Sequence, residues 1–268
     1  MEKLDRICRK FRLGPQDRVL EIGAGWGAFA LHASRNYGCR VTTTTISREQ
    51  HDQARRSFAE AGEAGRRITL LLEDYRNLKG SFNKLVSIEM FEAVGLEYYD
   101  AFFSACDRLL TPDGSMVMQA ITMNEHRFDV YKKRSDWIQR RIFPGAQLAS
   151  VREILSSLVR STRLSLFHME DIGLHYASTL AEWRRRFDES LDKVRALGFD
   201  EAFCRTWEYY LAYCEGAFRE RHIGDVQLML IKNSNPAILH GEPGTAASES
   251  ISTRIEEPAR RQNSGSRA

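Results

Sequence analysis

The ten residues Arg18-Val-Leu-Glu-Ile-Gly-Ala-Gly-Trp-Gly27 constrain the fold of this chain more than any other stretch. Val19, Leu20 and Ile22 bracket Glu21 in a short apolar run that reads as a strand. Gly23, Gly25 and Gly27 follow at once, and Ala28-Phe-Ala-Leu-His-Ala-Ser34 then reads as a helix. Glycines let the backbone turn tightly and bring its N–H groups close to a ligand at the helix N-terminus. A strand, glycine turn and helix occur in several ligand-binding folds and also as an ordinary connection, so the rest of the chain has to discriminate.

Downstream, Arg40-Val-Thr-Thr-Thr-Thr45 is β-branched and reads as a second strand. Ser47 with Gln50 three residues on fits a capping box, which predicts a helix to about Ala61. Ile68–Leu72, Lys84–Ile88 and Ser115–Ile121 are further strands, with a helix from Tyr98 to Leu110 closed by a Thr111-Pro-Asp-Gly114 turn. A helix is expected over Leu4–Arg12 and another over Val151–Val159. Strands follow at Arg163–Met169 and Asp225–Ile231, separated by a long helical stretch from about Thr179 to Arg219 that breaks near Gly198. This alternation predicts an α/β fold with a mostly parallel sheet covered on both faces. Ligands in such sheets bind outside the C-terminal strand ends, at the point where the strand order reverses.

The segment 124–147 is irregular, yet it carries Phe128, Tyr131, Trp137, Ile138, Ile142 and Phe143. Together with Trp183 and Trp207 in the helical stretch, its Trp137 reads as core packing. Arg184-Arg-Arg186 reads either as a contact for phospholipid headgroups or as a solvated helix face. From about Pro236, glycine, serine, proline and charge dominate, which predicts a disordered tail over 236–268 behind one domain spanning 1–235.

Several function classes are disfavoured. A net charge of +3 is too small to argue for nucleic acid. No apolar run approaches the ~20 residues of a membrane span. Met1-Glu-Lys-Leu-Asp-Arg6 is polar and has no secretory pattern. The five cysteines are odd in number and share no metal-ligand spacing, so reduced thiols in a cytoplasmic protein and no metal site are expected. His126, His168 and His175 form no ligand spacing either. Strand two ends in Thr45-Ile-Ser47 without the acid that holds a ribose in dinucleotide folds, which disfavours NAD.

Glu21-x-Gly-x-Gly-x-Gly27 resembles the glycine turn of S-adenosylmethionine methyltransferases. The resemblance sharpens with five further words: Thr45-Ile-Ser-Arg-Glu-Gln50, Asp74-Tyr-Arg76, Met90-Phe-Glu-Ala-Val-Gly95, Ile142-Phe-Pro-Gly145 and Tyr213-Cys-Glu-Gly-Ala-Phe-Arg219. Their order and spacing resemble the cyclopropane fatty acid synthase family, which includes the mycolic acid cyclopropane synthases, from about Met1 to Asn233. That resemblance implies a Rossmann-like class I methyltransferase. It has a seven-stranded, mostly parallel sheet and inserted helical lipid-binding regions near 124–160 and 179–219.

The resemblance also implies roles. Glu21, Gly23, Gly25 and Gly27 form the cofactor turn. Thr45, Ile46, Ser47 and Gln50 take the place of the ribose acid, Asp74, Tyr75 and Arg76 sit by the adenine, and Ile88 lies near the methyl-donor pocket. Glu92, Ile121 and Tyr176 match positions that hold a bicarbonate ion. Gln119 stands where the family commonly has histidine; its amide can donate a hydrogen bond but cannot carry charge. The implied cofactors are S-adenosylmethionine and bicarbonate.

The implied reaction adds a methylene to the cis double bond of an unsaturated phospholipid acyl chain at the inner membrane face. The alkene attacks the sulfonium methyl, and a base must then remove a proton from the new methyl group so that the ring closes. Alternatives are methylation without ring closure and an inactive remnant that binds cofactor or lipid. Family members carry an upstream segment with a Ser-Cys pair whose cysteine backbone touches the bicarbonate, and the chain begins after it. A truncated product, cover supplied by a homodimer or longer homologue, and a remnant are the expectations this raises.

Overall fold

A computed structural model describes residues 2–235. The expected tail at 236–268 lies outside the described residues. In chain order, helix α1 (Glu2–Phe11) leads into β1 (Arg18–Ile22), α2 (Ala28–Tyr37), β2 (Arg40–Thr45), α3 (Arg48–Glu60), α4 (Glu63–Arg66) and β3 (Ile68–Leu72). Then come β4 (Phe82–Ile88), α5 (Tyr99–Leu109), β5 (Leu110–Met123), α6 (Glu125–Tyr131), α7 (Trp137–Arg141) and α8 (Val151–Ser161). The chain continues through β6 (Ser165–Asp171), α9 (Gly173–Glu189), α10 (Leu191–Ala196), α11 (Glu201–Arg219) and β7 (Ile223–Ile231).

The strands form one sheet in the order β3-β2-β1-β4-β5-β7-β6. The pairings are parallel from β3 through to β5, and β7 runs antiparallel between β5 and β6. The order reverses between β1 and β4, so a crevice opens beyond their C-terminal ends. Because β7 is antiparallel, its first residues lie at that same edge, with Asp225 opposite Ile121 and Gln227 opposite Gln119.

Alternation along the strands divides the core between the two sheet faces. Leu20, Leu85, Met116 and Met118 join a cluster with the buried rings of Phe91, Tyr99, Phe102 and Phe103. Val19, Val86 and Val117 face the other way, against Ile7, Phe11, Phe29 and Phe58. A third cluster, Ala177, Leu180, Leu211 and Phe218, packs with Tyr176, Ile121 and Ile223. It seats α9 and α11 over the C-terminal edge of β5.

The structure departs from the sequence reading in several places. Thr111–Gly114 is not a turn before the strand but a bulge within β5, where Phe82 opposes Leu110 and Lys84 opposes Ser115. Helix α9 begins at Gly173 rather than near 179, so Tyr176 sits in its first turn. The segment 124–147 contains two short helices, α6 and α7. Only half of the expected capping box forms: Ser47 Oγ accepts from the Gln50 N–H at 3.2 Å, while Gln50 Oε1 accepts instead from the Thr45 hydroxyl at 2.7 Å.

The three tryptophans are not core residues. Trp183 is 48% exposed, while Trp137, partly buried, packs against α11, and Trp207, partly buried, lies within it. Trp137 meets Tyr209 edge-on at 4.7 Å and Trp207 meets Tyr210 at 5.5 Å between ring centroids. Arg184, Arg185 and Arg186 pair with Glu215, Glu182 and Glu189.

Candidate active site

The glycine turn after β1 needs its glycines for two different reasons. Gly23 and Gly27 have φ of 95° and 86°, and a Cβ there would stand 2.9 Å from Met90 Cγ and 2.6 Å from the Phe58 ring. Gly25 has φ of 50° but no heavy atom within 4 Å of a would-be Cβ, so open space fronts the turn. Glu21 lies beneath it, buried, accepting from the Thr43 hydroxyl at 2.6 Å. Burial pushes the Glu21 carboxyl up to about 8.

A cleft of about 450 Å3 opens beside this turn. Its walls include Gly23, Thr45, Ile46, Gln50, Asp74, Tyr75 and Arg76 from the predicted cofactor set. They also include Ile22, Thr44, Glu73, Met90, Ala93, Val94 and Tyr98, which the sequence reading did not single out. Gly25, Gly27 and Glu21 shape the turn without lining the cleft, and Ser47 caps α3 behind it. Ile88 is not part of the wall; it packs against the cluster that holds Ile7 and Phe11. Asp74 accepts from Arg76 Nε at 2.9 Å and from its terminal nitrogen at 2.7 Å, which holds the carboxyl below the usual range. The cleft therefore pairs an ionised acceptor with apolar walls and an open glycine turn. That donor and acceptor set fits the adenosine and methionine parts of S-adenosylmethionine.

A half-buried polar knot stands at the adjoining edge of β4, β5 and β7. Glu89, just past β4, accepts at Oε1 from Lys3 Nζ at 2.8 Å, Gln119 Nε2 at 2.8 Å and the Tyr176 hydroxyl at 2.5 Å. Gln119 Nε2 also donates to Asp225 Oδ2 at 2.7 Å. Gln119 Oε1 accepts from Gln227 Nε2 at 3.0 Å, and Gln227 Oε1 in turn accepts from Lys10 Nζ. Glu92 sits on a 3-10 turn anchored by Phe91, whose ring stacks on Tyr99 with centroids 4.1 Å apart. Its Oε1 accepts from the backbone N–H of Ile121 at 2.6 Å. The backbone carbonyl of Glu92 accepts from Gln147 N–H at 2.7 Å, tying the 124–147 segment to this turn.

Burial pushes Glu92 up to about 7, and burial with the nearby Glu89 charge pushes Asp225 up to about 8. Burial and the same Glu89 carboxylate raise Tyr176. Glu92 Oε2 and Asp225 Oδ1 are buried with no hydrogen-bond partner among the described residues.

The structure thus brings Gln119 and Tyr176 together on Glu89, and Glu92 onto Ile121, but it does so with the protein's own carboxylates. The donors that the resemblance gives to a bicarbonate ion are engaged: Ile121 N–H with Glu92, Gln119 Nε2 with Glu89 and Asp225, and Tyr176 with Glu89. A further anion there would face three carboxyl groups, so the residues present do not fit bicarbonate. Lys3, Glu89, Asp225 and Gln227 were missed in the sequence. Asp225 and Gln227 carried a usable signal, two polar residues two apart in an apolar strand, hence on one face.

The sheet order, glycine turn and cleft are those of the class I methyltransferase fold. The family model for mycolic acid cyclopropane synthetase matches residues 1–228, and the chain belongs to that family. It is 39% identical over 234 residues to the tuberculostearic acid methyltransferase UfaA1 of Mycobacterium tuberculosis, covering 87% of this chain and 54% of the relative. It is 38% identical over 226 residues to the cyclopropane-fatty-acyl-phospholipid synthase of Escherichia coli K12, covering 84% and 55%. The chain spans about half the length of these curated relatives. Among solved structures, it resembles the mycolic acid cyclopropane synthase CmaA1 complexed with SAH and CTAB. There the TM-score is 0.78 at 28% identity, over 86% of this chain and 83% of that one.

Proposed function

We propose that this chain transfers a one-carbon unit from S-adenosylmethionine to the cis double bond of an unsaturated phospholipid acyl chain, closing a cyclopropane ring. The observation that carries the reading is adjacency. The cleft at the glycine turn includes Met90, and the next residue back, Glu89, holds the polar knot of Gln119, Tyr176 and Asp225. Gly23, Gly25 and Gly27 form the turn, while Thr45, Gln50, Asp74 and Tyr75 hold the cofactor. Bound there, S-adenosylmethionine supplies an electrophilic methyl group.

The chain's own residues do the rest. A carbocation left on the acyl chain must be shielded from water and deprotonated. Tyr176, Ile121, Leu180, Leu211 and Phe218 provide apolar cover over the site. The half-exposed Trp183, Phe143, Tyr209 and Tyr213 supply apolar surface for a lipid at a membrane face. No helix among the described residues is long and apolar enough to cross a membrane, so contact with the bilayer is peripheral in this reading. The crystallised CmaA1 complex is named as holding both SAH and CTAB, which supports a chain that takes a cofactor and an amphiphile.

A second reading, methylation without ring closure, is favoured by the relative named a tuberculostearic acid methyltransferase. The test is incubation of the purified chain with S-adenosylmethionine and vesicles of cis-monounsaturated phosphatidylglycerol. Cyclopropane protons in the NMR spectrum of the product lipid support ring closure. Vinylidene protons support the second reading, and lipid without added carbon counts against both.

A further inference from the structure

We propose that the Glu89 carboxylate is the proton acceptor of this site, standing where the family resemblance places a bicarbonate ion. The inference rests on the methyl-transfer reading above. Lys3, Gln119 and Tyr176 converge on Glu89 Oε1, and two of these donors are the side chains the resemblance assigns to the ion. Among the described residues no hydrogen bond falls on Oε2, and the side chain keeps 24% of its surface exposed. One carboxylate oxygen is clamped and the other is left to take a proton.

The backbone supports a functional role. Glu89 has φ of 50°, a left-handed conformation that favours glycine, and its N–H is fixed to the Gln119 carbonyl at 2.9 Å. A side chain held in that conformation at a site edge is retained against local strain. Lys3 offsets one carboxylate, and the amide of Gln119 bridges it to the buried Asp225.

The step balances without an oxidant or reductant. The alkene π pair forms the new C–C bond as the methyl C–S bond breaks, its pair going to sulfur, which leaves a carbocation on the other alkene carbon. Glu89 Oε2 accepts a proton from the added methyl, and that C–H pair becomes the third ring bond. If a hydride first shifts from the methylated carbon to the cationic one, loss of a methyl proton to the same base instead forms the C=C bond of the open-chain methylene lipid. A carbocation makes the protons around it strongly acidic, so for the base that removes one, position is the stricter demand.

The test compares wild type with Glu89→Gly and Glu89→Gln. Glycine suits the left-handed backbone, and its introduction frees the Gln119 and Tyr176 donors. Binding of 13C-bicarbonate is followed by NMR, and turnover is assayed on unsaturated phosphatidylglycerol vesicles in carbon-dioxide-free buffer. The expected result is no bicarbonate binding to wild type and undiminished turnover without it. Both variants should lose about 100-fold or more in kcat with unchanged S-adenosylmethionine affinity. Bicarbonate should bind Glu89→Gly and restore part of its activity. Bicarbonate binding and dependence in wild type, or full activity in Glu89→Gln, would overturn the assignment. An inactive wild type would overturn the methyl-transfer reading by itself, while the NMR titration still shows whether Glu89 occupies the anion position.

Discussion

Gln227 donates its side-chain N–H to Gln119 Oε1 at 3.0 Å across the β5–β7 pair, which fixes the direction of the Gln119 amide. With Oε1 satisfied there, Nε2 has to face Glu89 and Asp225. Replacing Gln227 with Met should loosen that orientation and lower turnover by about tenfold, equivalent to ~1.4 kcal/mol. Gln227→Glu should be worse, because two acceptors would then oppose each other and turn the amide away. S-adenosylmethionine affinity should not move in either variant. Equal turnover in the two variants would argue against an orienting role.

Stability should fall as pH rises across the neutral range. Glu21, Glu92 and Asp225 have folded values of about 8, 7 and 8, all above the usual carboxyl range of about 4. Between those limits the folded chain holds more protons than the unfolded one. Their contribution is therefore full below about pH 4 and is lost as pH passes the folded values. Around Asp225 the charged and titratable neighbours are Glu89, Glu92, Lys3 and Tyr176. The lowered carboxyls Asp74, Asp100 and Asp129 act in the opposite sense but below that window. Urea unfolding at about pH 5.5 and about pH 8.5 measures the slope. Asp225→Asn should flatten it, and a chain more stable at the higher pH would contradict the burial of these acids.

Phe91 anchors the turn that carries Glu92. It is 1% exposed and packs against Tyr99, Phe102 and Phe103. Phe91→Ala should cost ~3–5 kcal/mol in chemical denaturation. Because the Glu92–Ile121 bond hangs on this ring, activity should fall further than the folded fraction accounts for. A loss under ~1 kcal/mol would show that the turn is held by other contacts.

Gly27 is expected to be intolerant of any side chain. Gly27→Ala combines left-handed strain of about 1–2 kcal/mol with a Cβ contact 2.6 Å from the buried Phe58 ring. The paired change with Phe58→Leu should recover part of the loss, because the shorter side chain leaves room. Additive losses in the double variant would mean that Phe58 is not the obstacle.

The strands and most helices were legible because their apolar runs are long and regular, and Ser47 announced the start of α3 chemically. The start of α9 was not, since Ile172, its N-cap, supplies no side-chain hydrogen bond. Glu92, Gln119, Ile121 and Tyr176 came from family resemblance, and the structure does gather them at one edge. Glu89 escaped notice because its role depends on Lys3 and Tyr176, 86 and 87 residues away in sequence. No local periodicity records such a convergence. The exposed Trp183 was misread for a related reason: its helix is polar on most sides, and only the position of α11 decides which face is covered.

The most direct test of the account is calorimetric binding of S-adenosylmethionine to the full chain, with Gly25→Val as the control. Gly25 has φ of 50° and open space where a Cβ would stand, so a branched side chain there would strain the turn and project into the space that fronts it. Wild type should bind at one site per chain and the variant should lose it, with the fold retained by circular dichroism. A folded wild-type chain that takes up no S-adenosylmethionine would contradict the assignment of this cleft and the methyl-transfer function built on it.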